Sequence, residues 1–252
     1  GQPKDASSNP VLSTGELTPL TWRLANSRNH YSASIMKQSK HPAAVADFIH
    51  KMGIMSYIYS VYALCLWTPD FSLFEMIGAY GTYANRGVFT EPIFVTRIED
   101  KYGNLITSFQ PKTSDAISEQ TAYTMLGMLK NVINAGTAGR LRGTYGFTGD
   151  MGGKTGTSQN NSDAWFIGVT PKLVAGAWVG GEDPSVGLWR RGEGSALALP
   201  IFGEFMKKVY ADPRLGITQD DKFPVPVGAV TYDCDPEQAP EDINPDDDGF
   251  FD

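Results

Sequence analysis

Apolar and polar positions along the chain repeat with two different periods, and the switch between them marks its elements. Residues 17–33 carry a helical pattern. A second helix is predicted from Pro42, a favourable first residue, through Val45, Phe48, Ile49 and Met52 to a stop at Gly53. Ser72-Leu-Phe-Glu75 has the form of a capping box, and Met76, Ile77 and Tyr80 place one apolar stripe on the helix it opens, which ends at Asn85-Arg86-Gly87. Ser118 caps a long helix with Ala122, Met125, Leu126, Leu129, Val132 and Ile133 on a single face, closed by Gly136. A last helix covers residues 197–210.

Alternating and β-rich runs fill the intervals. Residues 93–99 and 105–109 predict a hairpin through Asp100–Asn104. Residues 164–170 and 173–180 predict two strands joined at Pro171-Lys172, preceded by a short strand around Lys154. Consecutive strands without crossover helices pair antiparallel, which predicts an α+β fold with an antiparallel β-sheet and flanking helices. Residues 1–15 read as loop, 16–215 as the folded domain, and 216–252 as an acidic, proline-rich tail expected to be poorly ordered.

Charge alters this picture only at the end of the chain. Nine acidic residues and no Lys or Arg follow Tyr232, so without them the formal charge of −7 becomes about +2. No clustered basic face suggests a nucleic-acid partner. The two cysteines, Cys65 and Cys234, are far apart and indicate no disulfide framework. His30, His41 and His50 lack ligand-like spacing, so no metal is expected. The uncharged run from Met52 to Pro69 is at the margin for a membrane span, but its Gly, Ser and Tyr content favours buried core or groove lining.

The candidate chemistry centres on Gly149-Asp-Met-Gly-Gly-Lys-Thr-Gly-Thr-Ser158. A phosphate-binding loop needs glycine six residues before the lysine, and Thr148 stands there. The flanks also fail, with no buried strand before and poor helix-forming residues after. The other reading places Lys154, Thr155, Gly156 and Thr157 on a strand bordering an acyl-transfer groove. There the ammonium supplies positive potential, the two hydroxyls can donate to a carboxylate, and free backbone N–H groups can serve an oxyanion.

Lys154-Thr155-Gly156 resembles one of the three signatures of penicillin-binding transpeptidases and serine β-lactamases, the others being S-x-x-K and S-x-N. The stretches GELTPLTWRLANSRN, FEMIGAYGTYANRG, SEQTAYTMLGMLKNVINAGTAG and GGKTGTSQNNSDAWFIGVTPKLVAGAWVG are similar to the transpeptidase domain of bifunctional (class A) penicillin-binding proteins of a Bacteroides-like type. Of three S-x-N copies, Ser27-Arg28-Asn29 lies at a helix end, where the family has it. The resemblance implies that Ser27 relays a proton to the leaving amine beside Lys154 and that Asn29 holds the substrate amide. It also implies that Thr155, Gly156 and Thr157 bind the terminal carboxylate of a D-Ala-D-Ala stem peptide or a β-lactam. The Thr157 N–H would form half of an oxyanion hole.

The single S-x-x-K, Ser34-Ile-Met-Lys37, follows S-x-N instead of preceding it, and a chain of this composition holds about one such match by chance. Ser34 with Lys37 is therefore a minor candidate nucleophile. The chain is expected to begin just after the family's catalytic Ser-x-x-Lys, leaving it without an acylating serine. Taken together, the resemblance implies a peptidoglycan D,D-transpeptidase in a membrane-anchored parent on the periplasmic side of the cytoplasmic membrane. Its partners would be stem peptides and β-lactams, with no cofactor. A non-catalytic penicillin-binding or scaffold module and a serine β-lactamase-like protein are the alternatives.

Overall fold

The computed structural model describes residues 19–66, 70–158, 161–181, 183, 185, 187–188 and 192–229. The expectations for residues 1–15, for the end of the uncharged run at residues 67–69, for Cys234 and for the tail beyond residue 229 lie outside them. Helices are α1 (Leu20–Ala25), α2 (Asn29–Ser39), α3 (Pro42–Lys51), α4 (Leu73–Ala84), α5 (Glu119–Ala135), α6 (Arg140–Gly143) and α7 (Ala198–Ala211). Strands are β1 (Val88–Thr90), β2 (Arg97–Glu99), β3 (Leu105–Ser108), β4 (Thr113–Asp115), β5 (Gly152–Thr157), β6 (Asp163–Val169) and β7 (Val174–Gly180). They form the ribbons β1-β4 and β2-β3 and the sheet β5-β6-β7, all antiparallel. The class is α+β, with helices flanking the antiparallel sheet.

Pairing of Lys154 with Ile167 and of Ile167 with Gly176 sets the register of that sheet. Because side chains alternate, one face receives Lys154, Ile167 and Gly176, and the other Thr155, Phe166 and Ala177. The first face packs on α4 and α5, where Leu73, Ile77 and Leu129 come close to Gly176 and Gly152. The second packs on α7, with the Phe166 and Phe202 rings edge to face at 4.9 Å. Val132, Ile133, Leu141, Met151, Phe166, Leu199 and Met206 are fully enclosed, the centre of the main core.

A second cluster lies beneath α2, α3 and α4 and takes Met36, Ala46, Met52, Ile54, Ile58, Leu64 and Ala79. The run after Met52 alternates. Ile54 and Ile58 point inward, while Met55, Tyr57 and Tyr59 face outward, so this segment is only in part the core that its composition predicts. Among the described residues no helix is long and apolar enough to cross a membrane.

Two local findings modify the sequence expectations. The hairpin strands are shorter than predicted, with β2 starting at Arg97 and not near residue 93. The helix predicted over residues 17–33 is broken into α1 and α2. At the break Ser27 takes a left-handed φ of 52°. Its N–H donates to Leu24 O and the Arg28 N–H to Arg23 O, at 3.1 Å each. That pair of bonds is a Schellman termination with serine in place of the usual glycine. Elsewhere the capping box holds: the Ser72 hydroxyl accepts from the Glu75 N–H and the Glu75 carboxylate accepts from the Ser72 N–H, opening α4.

Candidate active site

β5 carries the lysine signature at the rim of the sheet. Among the described residues it pairs only with β6, which leaves its outer edge unpaired. Lys154 is half-buried, and its Nζ donates to Ser27 Oγ at 2.7 Å and to Thr155 O at 2.8 Å. Ser27 and Lys154 are 127 residues apart in the chain. Burial costs the ammonium hydration, and its pKa falls to about 8. An amine so placed exchanges protons near neutral pH, which suits it to pass a proton through the serine hydroxyl it touches.

The neighbouring hydroxyls differ in what they have free. Thr157 Oγ1 accepts the Gly194 N–H at 3.1 Å and keeps its proton available to an acceptor outside. Thr155 is buried, and its Oγ1 meets Thr137 Oγ1 at 2.7 Å. Gly156 stands opposite Trp165 in the register and beneath Gly194. A Cβ on Gly194 would lie 2.3 Å from Trp165 O and 2.4 Å from Gly156 O, so only glycine allows this segment to rest on the signature strand. Beyond β5, the Asp163 carboxylate accepts from the Ser158 and Ser162 hydroxyls and from Trp178 Nε1, at 2.8 to 2.9 Å. Burial pushes Asp163 upward, but these donors outweigh it and hold the carboxyl below its ordinary range.

The structure therefore brings Ser27 to Lys154, on the strand that also carries Thr155, Gly156 and Thr157. Asn29 is the first residue of α2, two positions after Ser27, and is exposed. Ser34 and Lys37 are exposed on α2, and no hydrogen bond joins either to Lys154 among the described residues. Trp165 and Trp178 form a tilted pair at 6.3 Å, with Trp178 exposed. Among the described residues no group of three or more His, Cys, Asp or Glu side chains is placed to hold a metal ion.

Sequence reasoning missed Thr137 and Gly194. The pattern marks Gly136 as a helix stop, and nothing in it signals that the next residue bonds to the lysine strand. Gly194 acts through a backbone contact, which no side-chain pattern signals.

Solved structures similar in fold to this chain include penicillin-binding proteins. Penicillin-Binding Protein 1A from Haemophilus influenzae superposes with a TM-score of 0.77 at 23% identity, over 89% of this chain and 38% of its own. The PonA1 protein from Mycobacterium tuberculosis in complex with penicillin V gives 0.64 at 24% identity, over 84% of this chain and 61% of that one. The family model of the penicillin binding protein transpeptidase domain matches residues 66–207, more than half of the chain, and the chain belongs to that family.

Among curated relatives, penicillin-binding protein 1A of Rickettsia bellii is 34% identical over 221 residues, 78% of this chain. That of Aquifex aeolicus is 31% identical over 228 residues, 90% of this chain. The chain spans only 27% and 29% of the length of these two relatives.

Proposed function

We propose that the chain supplies the substrate-recognition groove of a serine D,D-transpeptidase that cross-links peptidoglycan. Its groove would bind the D-Ala-D-Ala end of a stem peptide, and penicillins in the same place. The observation that carries this reading is the 2.7 Å contact between Lys154 Nζ and Ser27 Oγ, at the unpaired edge of a strand that reads Lys-Thr-Gly-Thr.

Each group has a role that its surroundings support. A peptide lying along the outer edge of β5 meets free backbone donors and acceptors, as an added strand does. Its terminal carboxylate is drawn by the Lys154 ammonium and accepts from the hydroxyls of Thr157 and Thr155 across Gly156. The N–H of Thr157 serves the oxyanion. Ser27 hands a proton to the departing amine, replenished from Lys154, and Asn29 holds the substrate amide.

We assign the acylation to a serine other than Ser34, which is exposed on α2. The parent would act on the periplasmic side of the membrane, anchored there, and would need no cofactor.

The test is intact-mass analysis of the parent protein after exposure to a reactive penicillin. One adduct per chain is expected. Ser27→Ala and Lys154→Ala should slow its formation by about 100-fold or more, the usual scale for a lost proton-transfer group, and Ser34→Ala should leave it unchanged. Undiminished acylation of Lys154→Ala, or loss of the adduct in Ser34→Ala, would overturn the assignment. Rapid hydrolysis of the adduct would point to a β-lactamase.

A further inference from the structure

The Lys154–Ser27 contact poses a mechanical problem. It joins the tip of a long side chain on β5 to a hydroxyl on a turn after a helix of only six residues. A helix so short has little intrinsic stability, and its last carbonyls need partners from elsewhere. Ala25 is buried against Val132 and Ile133 of α5, but apolar packing tolerates small slips along its surface. A hydrogen bond of 2.7 Å does not.

Directly after α5 the chain supplies the missing constraint. The Thr137 N–H donates to Ala25 O at 3.0 Å, satisfying an end carbonyl of α1. A Cβ on the preceding Gly136 would fall 2.4 Å from that same oxygen, so glycine is what allows the approach. The Thr137 hydroxyl reaches Thr155 Oγ1 at 2.7 Å. One residue thus bonds the helix that ends at Ser27 and the strand that carries Lys154.

We propose that Thr137 is the positioning residue of this site, clamping the end of α1, and with it Ser27, to β5 through its backbone N–H and its hydroxyl. The hydroxyl has a second consequence. Two facing hydroxyls share one proton between them; when Thr137 donates, Thr155 accepts and retains its own proton for a carboxylate. A valine at 137 keeps the shape and the N–H but removes this donation and the link to β5. A serine restores both. The assignment rests on reading Ser27 and Lys154 as a working pair.

The first measurement is an NMR titration of the lysine 13Cε signals in the 252-residue chain, with Lys154 identified by its loss in Lys154→Arg. The wild-type midpoint is expected near 8. In Thr137→Val the end of α1 loosens, water reaches the ammonium, and the midpoint should rise by about one pH unit toward that of a free lysine. Thr137→Ser should return it to the wild-type value. Gly136→Ala, which attacks the same junction through the backbone, should shift it upward as well. A folded Thr137→Val protein with an unmoved midpoint overturns the proposal, and so does a serine variant that fails to restore it.

Penicillin acylation of the parent is measured in parallel, with about a 10-fold slowing expected in Thr137→Val, the size of one neutral hydrogen bond lost from a site. If the Lys154 midpoint moves and is rescued while acylation stays unchanged, the clamp stands and the acyl-transfer reading falls.

Discussion

Glu75 offers the sharpest quantitative test of how the domain is held together. Its carboxylate accepts the N–H groups of Met55, Ser56 and Ser72, at 3.0, 2.8 and 3.0 Å. It also accepts the hydroxyls of Ser56 and Ser72, at 2.8 to 2.9 Å. One side chain therefore caps α4 and pins the segment that follows Met52. Burial pushes the Glu75 pKa upward, but the donors from Ser72 and Ser56 outweigh it and bring it down to about 2. A folded-state value of 2 against 4.5 unfolded corresponds to about 3 kcal/mol at full strength, at 1.36 kcal/mol per pH unit. Glu75 is only half-buried, and solvent screening reduces this to about 1–2 kcal/mol.

The sign follows from proton counting. Below pH 4.5 the unfolded chain binds this proton and the folded one does not, so stability is whole above 4.5 and is lost as pH falls toward 2. Glu75→Gln turns one oxygen into an NH2 group facing donors, and it removes the charge from every bond that remains. Urea unfolding should show a loss of about 1–2 kcal/mol at pH 7, narrowing steadily between pH 4.5 and the acid limit. A gap under about 0.5 kcal/mol at pH 7, or one that stays constant with pH, would refute the reasoning.

Two further substitutions probe the packing around β5. Gly194→Ala places a Cβ within 2.4 Å of two backbone oxygens that cannot move without shifting the sheet, so urea unfolding should show a loss of about 1–3 kcal/mol. If Gly156 and Thr157 bind substrate, the same variant should also acylate more slowly in the parent. Phe202→Ala empties a nearly fully enclosed ring position against Phe166, and denaturant melts should show a loss of about 3–5 kcal/mol. A loss below about 1.5 kcal/mol would mean that α7 collapses onto the sheet without strain.

The sequence disclosed those features in which neighbouring residues decide the outcome. Ser72 and Glu75 formed their box because cap and acceptor sit three residues apart. The α5 face buried Ala122, Leu126, Leu129, Val132 and Ile133 because a single stripe meets the sheet. The Pro171-Lys172 turn joined β6 and β7, and the buried run Phe166–Val169 of β6 matches a strand covered on both sides.

What stayed hidden depends on distant backbone. No glycine or proline marks the break at Ser27, where a serine assumes the left-handed turn and Ala25 O docks on Thr137. The β1-β4 ribbon was likewise illegible, since three residues on each side are too few to show a period. At the site, the motif pointed to Lys154 and Ser27 separately. Their contact, and the Thr137 junction beneath it, belong to the packing of α1 on α5.

The left-handed turn at Ser27 also bears on how position 27 should be interrogated. Alanine removes the hydroxyl but keeps the Cβ that makes this backbone unfavourable, at about 1 kcal/mol or more. Glycine removes the hydroxyl and the strain together. An alanine scan therefore reports there a mixture of lost chemistry and a turn trying to relax, and the difference between the alanine and glycine variants measures how much conformational tension the chain holds to present one oxygen atom.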